Sequence, residues 1–489
     1  MLWGSVSAAS LYESVNGILH DDPDILDSVY QRDINYRELD AVRAEYLPVI
    51  DLTMGTGSET ITQTPALSFD ETTVDRNDLS LSLKLNIFKG FETLNSFRKQ
   101  KHRLRASGFK LDEQKELIAL EVTEAYINVL KDRENLKFSR KSIEHHEYIY
   151  NQIKEKVDAG FARRSELEQV LGRLSMVKTN HIILENNFIQ SLIILEGMLG
   201  EKVDPNTLST PNQPVNLPAS LRVAAEAAFA NHPSLKVARI NIEAGQSDYR
   251  ARLSEYYPSI DLEVTRSNNE NVGGIEMETE STSAMVMLKY NLFDGLASRT
   301  RIQEKRIEVL RMQNEQRKVE RDLFERLSLA WTAHTFLKDQ IKQLEEHRYY
   351  ATATYEAYQK EFNLGRRDLL DLLNAQNEQN DAEKRLSAAK FDQLFTKYRI
   401  LEGMGLLVEH FEQHRTPGIR PQKTLIGQEA RLKDIMGDID TRLERLYKKE
   451  EKEEPKAAKP QGKAESSKGL MEDLSDEEAK LLEMMEEGN

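Results

Sequence analysis

The sequence predicts an α+β fold, mostly α, written twice along the chain as a short helix, a β-hairpin and a long α-helical hairpin. Three observations carry this. Short segments recur in the same order: Glu45-Tyr46-Leu47-Pro48 returns as Glu255-Tyr256-Tyr257-Pro258, and Asn86-Ile87-Phe88-Lys89-Gly90 as Asn291-Leu292-Phe293-Asp294-Gly295. Proline is missing between Pro65 and Pro205 and between Pro258 and Pro417, so long regular elements have two places to form. Inside each gap the apolar period changes once, from two residues to three and four.

The period-two segments are strands. Leu79, Leu81, Leu83, Leu85 and Ile87 alternate with Ser80, Ser82, Lys84 and Asn86, and Ala284, Val286, Leu288, Tyr290 and Leu292 do the same in the second half. Their partners start at the repeated prolines, Pro48 and Pro258. Strands are expected at 47–57, 78–88, 257–266 and 282–293, with polar hairpin loops at 57–77 and 267–281. Helical text follows Gly90 and Gly295, giving long helices at 91–157 and 163–199, then at 296–361 and 366–410. A helix of about 65 residues is on the order of 100 Å long. Gly160 and Gly365 are the reversal points, each closing a helical hairpin. Shorter helices, Ile25 to Ala44 and Ala224 to Arg252 with a break near His232-Pro233, precede the first strands.

The organisation is therefore residues 11–205 as the first repeat, a Pro-rich linker at 206–222, a second repeat at 223–411 and a charged tail at 412–489. In the tail an amphipathic helix around Leu432–Leu446, a disordered Lys/Glu/Pro run at 448–468 and a short acidic helix at 470–485 are expected. Residues 1–10 lack a basic n-region, yet Val6-Ser7-Ala8 resembles the small-residue end of a secretory signal. Two readings stand: an ordinary start, or the remnant of a signal whose start codon lies upstream.

Composition narrows the function. A chain of 489 residues with 39% hydrophobic and 30% charged residues is too polar for thick globular cores and suits long helices with narrow apolar stripes. The net charge of −15 argues against a nucleic-acid partner. These 489 residues contain no cysteine, so no disulfide, thiolate metal site or lipid-modified N-terminal Cys is expected. No uninterrupted apolar run reaches the length of a transmembrane helix. Glu144-His145-His146-Glu147 has the wrong spacing for two helical metal ligands, and Gly55-Thr56-Gly57 lacks the helix start of a phosphate loop. No catalytic residue, metal or cofactor is expected.

Each strand is about ten residues with one apolar and one polar face, as a wall between lipid and water requires. Four strands cannot close a barrel, and an open edge in lipid is costly. Two copies would supply eight strands and three copies twelve. A soluble α+β protein with two half-buried hairpins would show the same periodicity, and a coiled-coil scaffold would account for the helices alone.

The order of helix, Tyr-Leu-Pro strand, hairpin and long helical hairpin resembles the TolC family of outer-membrane channel-tunnels. The likeness covers residues 12–412 and is most specific at the two Tyr-x-Pro segments, the Asn-x-Phe-x-Gly turns, and Phe362-Asn363-Leu364-Gly365 followed by Asp371-Leu372-Leu373-Asn374-Ala375-Gln376. The resemblance implies a homotrimer with a twelve-stranded β-barrel in the outer membrane, continuous with an α-helical barrel that crosses the periplasm. It implies a passive duct, in contact with outer-membrane lipid and recruited by a periplasmic adaptor (membrane fusion) protein and an inner-membrane ABC exporter or pump. Loose likeness to the secretion branch favours type I protein secretion, with multidrug or metal efflux as the alternative.

The resemblance also marks the tip. Asp371 stands where the family rings its constriction with carboxylates, and Asn374 replaces a second one. Arg367 matches a basic position and Glu166 the acidic one expected to tie to it, within or between protomers. Phe362 stands where a hydrogen-bonding Tyr is frequent, which puts a polar tie there in doubt. Arg163, Arg164 and Arg366 make the surface around Gly160 and Gly365 basic, as an adaptor contact or as ordinary helix-start solvation.

Overall fold

The computed structural model describes residues 10–63, 70–211 and 217–413. The expected signal remnant and the three expected segments of the tail lie outside the described residues.

The first repeat opens with α1 (Leu11–Asp21) and α2 (Pro23–Ala44), and the second with α5 (Leu221–Asn231) and α6 (Pro233–Arg252). Both pairs break at a residue–proline step. Asp22 caps α2 through bonds from Asp24 N and Ile25 N, and His232 caps α6 through a bond from Ser234 N. The break foreseen at His232-Pro233 thus has an unforeseen twin at Asp22-Pro23, for the same reason: proline fits the first helical position, where its missing N–H costs nothing.

Pro48 and Pro258 directly precede β1 (Val49–Gln63) and β3 (Ser259–Glu270); their partners are β2 (Asp70–Lys89) and β4 (Glu278–Lys289). The four strands form one antiparallel sheet in the order β1-β2-β3-β4, so β2 pairs with β3 across the boundary between repeats. The first hairpin reaches further than periodicity suggested, because polar Thr and Glu residues continue the ladder after the apolar alternation stops. Conversely, β4 ends at Lys289, and Asn291-Leu292-Phe293 lies outside it. A bulge at Ile87 breaks the alternation read for β2 and brings Phe88 opposite Ile260.

Register sorts the faces. The rows Ile50–Leu83–Val264–Ala284 and Leu85–Leu262–Val286 lie on one face. Ile50, Leu52, Met54, Val286 and Leu288 there are all more than 60% exposed, so nothing among the described residues covers this face. The opposite face carries a polar ladder: Asn86 Nδ2 donates to Asp261 at 2.7 Å, while Lys84 lies 3.5 Å and Lys289 3.7 Å from Glu263. Below the strands Phe88, Phe91 and Tyr257 stack edge-on, with Tyr46, Tyr256 and Tyr290 exposed nearby.

Four long helices follow: α3 (Glu92–Asp158), α4 (Arg164–Leu199), α7 (Ala297–Asn363) and α8 (Leu369–Gly403). At ~1.5 Å per residue α3 and α7 are each about 100 Å long. Within α4 lies a stretch of mean hydropathy 1.3, apolar enough to cross a bilayer by length and composition alone. Glu185, Asn186 and Asn187 interrupt it, so the absence of an uninterrupted apolar run of transmembrane length stands.

The final helix was expected to run unbroken from 366 to 410. It instead starts at Leu369 after Asp368, stops at Gly403 and resumes as α9 (Leu407–Gln413). Gly405 N donates to Glu402 O and Leu406 N to Leu401 O, closing the last turn. Buried Glu116 of α3 then accepts from Leu407 N at 3.0 Å and Val408 N at 3.2 Å, satisfying the first amides of α9. The main core surrounds this junction, where Leu11, Val15, Tyr126, Leu195, Tyr398 and Phe411 of five helices are fully covered.

Candidate gate at the helical tip

The two helical hairpins end in the same cap. In the first, Gly160 is left-handed (φ 77°), Gly160 N donates to Val157 O and Phe161 N to Lys156 O. In the second, Gly365 (φ 71°) does the same, with Gly365 N to Phe362 O and Arg366 N to Glu361 O. A side chain in that conformation costs about 1–2 kcal/mol, which explains glycine at both reversals. Arg163, Arg164 and Arg366 are exposed around these turns, with Arg164 3.7 Å from Glu168. Phe161 and Leu364 beside them are 87% and 70% exposed.

The tip is held from inside by a small apolar cluster. Ile149 and Ile153 of α3, Val170 of α4, Phe362 of α7 and Leu369, Leu372 and Leu373 of α8 pack together. Phe362 is buried here, and the ammonium of Lys156 sits 4.4 Å from its ring centre. Its position makes a packing contact and a cation–π contact in place of a polar tie.

Arg367 is fixed within its own chain. Its Nε and Nη2 donate to Glu361 Oε2 at 2.9 and 2.8 Å, and Nη1 to Asp371 Oδ2 at 3.4 Å. The guanidinium lies 4.0 Å over the Tyr358 ring. The Glu361 hydrogen bond, with Asp371 adding to it, raises the Arg367 pKa further and keeps the group charged. Within the chain, therefore, Arg367 does not bind Glu166, which stands half-buried in the first turn of α4. The reason is local: Asp371 in the first turn of α8 and Glu361 just across the reversal both reach the guanidinium from its own hairpin.

Asp371 and Asn374 border a cavity of about 430 Å³ between α7 and α8, together with His347, Tyr350, Tyr358 and Glu378. His347 Nε2 and Glu378 Oε1 close one side of it at 2.8 Å. Sequence reasoning missed Glu361, Tyr358 and Lys156. The signal for the first two was available, since both fall in the last turns of α7 and must approach the start of α8 once Gly365 reverses the chain.

A sheet with an exposed apolar face, an aromatic cluster at its lower end and two long helical hairpins below it fit a protein whose strands meet lipid. The sequence profile described as outer membrane efflux protein matches residues 15–201 and 224–404, one segment in each repeat. The chain belongs to the outer membrane efflux protein family. It is 22% identical over 429 residues to the outer membrane protein TolC of Vibrio cholerae, covering 86% of this chain and 96% of that protein. It is also 22% identical over 419 residues to the alkaline protease secretion protein AprF of Pseudomonas aeruginosa, covering 82% of this chain and 85% of that one. Among solved structures, the Campylobacter jejuni CmeC outer membrane channel superposes with a TM-score of 0.69 at 13% identity, covering 87% of this chain and 89% of CmeC. This efflux-family protein is thus an outer-membrane exit duct of the TolC type that extends into the periplasm.

Proposed function

We propose that three copies assemble into a trimer whose twelve strands close a barrel in the outer membrane, and that the duct serves type I protein secretion with a periplasmic adaptor and an inner-membrane ABC exporter. The observation that carries the assembly is the four-stranded sheet, whose two edges and apolar face meet no partner among the described residues. In lipid such edges leave backbone groups unsatisfied at several kcal/mol each, and only closure with further strands removes them. The exposed apolar side chains on the helices, among them Ile182 and Ile183 on α4 and Phe324 and Phe336 on α7, would be buried between neighbouring copies.

In this reading the tip is the gate. Arg367 is pre-aimed by Glu361, Asp371 and Tyr358, and Glu166 of a neighbouring copy supplies the carboxylate that ties the closed ends together. Asp371 lines the constriction with Asn374; because Arg367 offsets part of its charge, its pull on cations is weaker than that of a bare carboxylate ring. Ion pairs this exposed are worth about 0–1 kcal/mol each, so modest adaptor binding at the tip surface around Phe161, Leu364, Arg163, Arg164 and Arg366 suffices to open it.

Likeness to a protease secretion protein supports protein cargo. The family's description as efflux proteins supports the second reading, a multidrug or metal pump component. The test is R367E in purified protein reconstituted into planar bilayers. A several-fold rise in single-channel conductance is expected, whereas unchanged conductance would refute the gate. A neighbouring gene set encoding an ABC exporter, an adaptor and a large secreted protein decides for secretion; a proton-driven pump decides for efflux.

A further inference from the structure

The β3–β4 connection does not extend the hairpin away from the sheet but folds back over it. Past Glu270 the chain turns at Asn271 (φ 56°), and Asn271 N donates to Met277 O at 2.9 Å, so residues 271–277 form a closed loop. Asn271 Nδ2 donates to Asp75 O of β2 at 2.7 Å. One step further, Gly273 N donates to Glu59 Oε2 of β1 at 3.0 Å. The Ile61 side chain lies 3.3 Å from where a Cβ on Gly274 would stand. From β3 the loop thus crosses β2 and lands on β1, a reach of about 10 Å at the usual strand spacing.

Register fixes which face it covers. Glu59 and Ile61 fall on the same side as Asp51 and Thr53, and Val74 and Arg76 on the same side as Ser82 and Lys84. This is the polar face. Its shielding there is direct: Val74 is 5% exposed, although its neighbours Thr73 and Asp75 are exposed. Glu59 is oriented for the loop by Arg76, whose Nη1 donates to it at 3.2 Å while its Nε holds Asp78 at 2.8 Å. The loop's own apolar residues Ile275 and Met277 are 61% and 58% exposed.

We propose that residues 271–277 are a movable lid at the outer mouth of the channel, closed on the lumen-facing side of the β1–β2 hairpin and released for cargo to leave. The proposal rests on the barrel reading above, in which the polar face lines the lumen. A twelve-stranded barrel of ordinary tilt has a backbone diameter on the order of 25 Å, so three inward loops occlude a large share of its cross-section. The duct then has a constriction at each end: an ionic one at the helical tip and a loop at the barrel mouth.

The chain contains no cysteine, so I61C/G274C introduces the only thiols, at a Cβ separation of about 3.4 Å that is close to what a disulfide needs; Gly274 is left-handed (φ 74°), so its new side chain costs about 1–2 kcal/mol. The pair is placed in the R367E background and measured as the full-length trimer in bilayers. Oxidation is expected to link the pair within one chain, seen on a non-reducing gel, and to hold conductance at least about twofold below that of the reduced protein. As a second variant, E59Q/N271A in the same background should conduct more than R367E alone. Thiols that stay free under oxidant would overturn the proposal, as would equal conductance before and after reduction. The rise from wild type to R367E reads the tip gate by itself, and the crosslink reads the loop by itself.

Discussion

Glu116 should make the stability of the fold fall as pH rises. It is 5% exposed, and its two carboxylate oxygens accept the Leu407 and Val408 amides that begin α9. Burial, with Glu402 and Asp112 adding like charge, raises its pKa from 4.5 to about 8 against the pull of those two amides. Below pH 4.5 the carboxyl is neutral in both folded and unfolded chain. Between 4.5 and about 8 the folded chain keeps a proton that the unfolded chain releases, so stability declines across that window and the loss is complete above it. At about 1.4 kcal/mol per pH unit, that gap makes ionising Glu116 inside the fold cost on the order of 5 kcal/mol. E116Q cannot ionise, but its amide oxygen can satisfy only one of the two backbone amides well, a loss of about 1–3 kcal/mol at every pH. The curves should therefore cross: near pH 5 the variant unfolds more easily than wild type, and near pH 9 it is the more stable. Thermal unfolding in detergent, followed by circular dichroism at both pH values, measures this. Parallel curves with no crossing would refute the assignment of a buried, proton-binding Glu116.

Two further outcomes follow from the sheet and the tip. Leu83 sits mid-row on the apolar face between Ile50 and Val264, so Leu83→Arg should cost about 2–4 kcal/mol in lipid and deplete the protein from outer-membrane fractions. Ser82→Arg, one residue away on the polar face, should leave the amount unchanged; equal loss from both would contradict the face assignment. Phe362→Ala removes a buried ring from the tip cluster and should cost about 3–5 kcal/mol locally, read as protease cleavage near Gly365 that wild type resists.

The sequence by itself determined the duplication, the alternation of strands with long helices and the apolar face of the strands, because each rests on a local period. Pro48, Pro258, Gly160 and Gly365 act through backbone geometry alone, which is why their turns were legible before any contact was known. What the tertiary structure decided is where partners come from. Arg367 reads as a link to Glu166 in one dimension; in three, Glu361, Tyr358 and Asp371 of its own hairpin are closer and take its guanidinium first. The start of α9 at Leu407 is met by Glu116, distant in sequence, whose carboxylate accepts the first amides of that helix. The fold of the β3–β4 loop onto β1 was likewise invisible, since periodicity assigns a loop no direction. A period reports which side of an element is apolar. Only packing reports what lies against it.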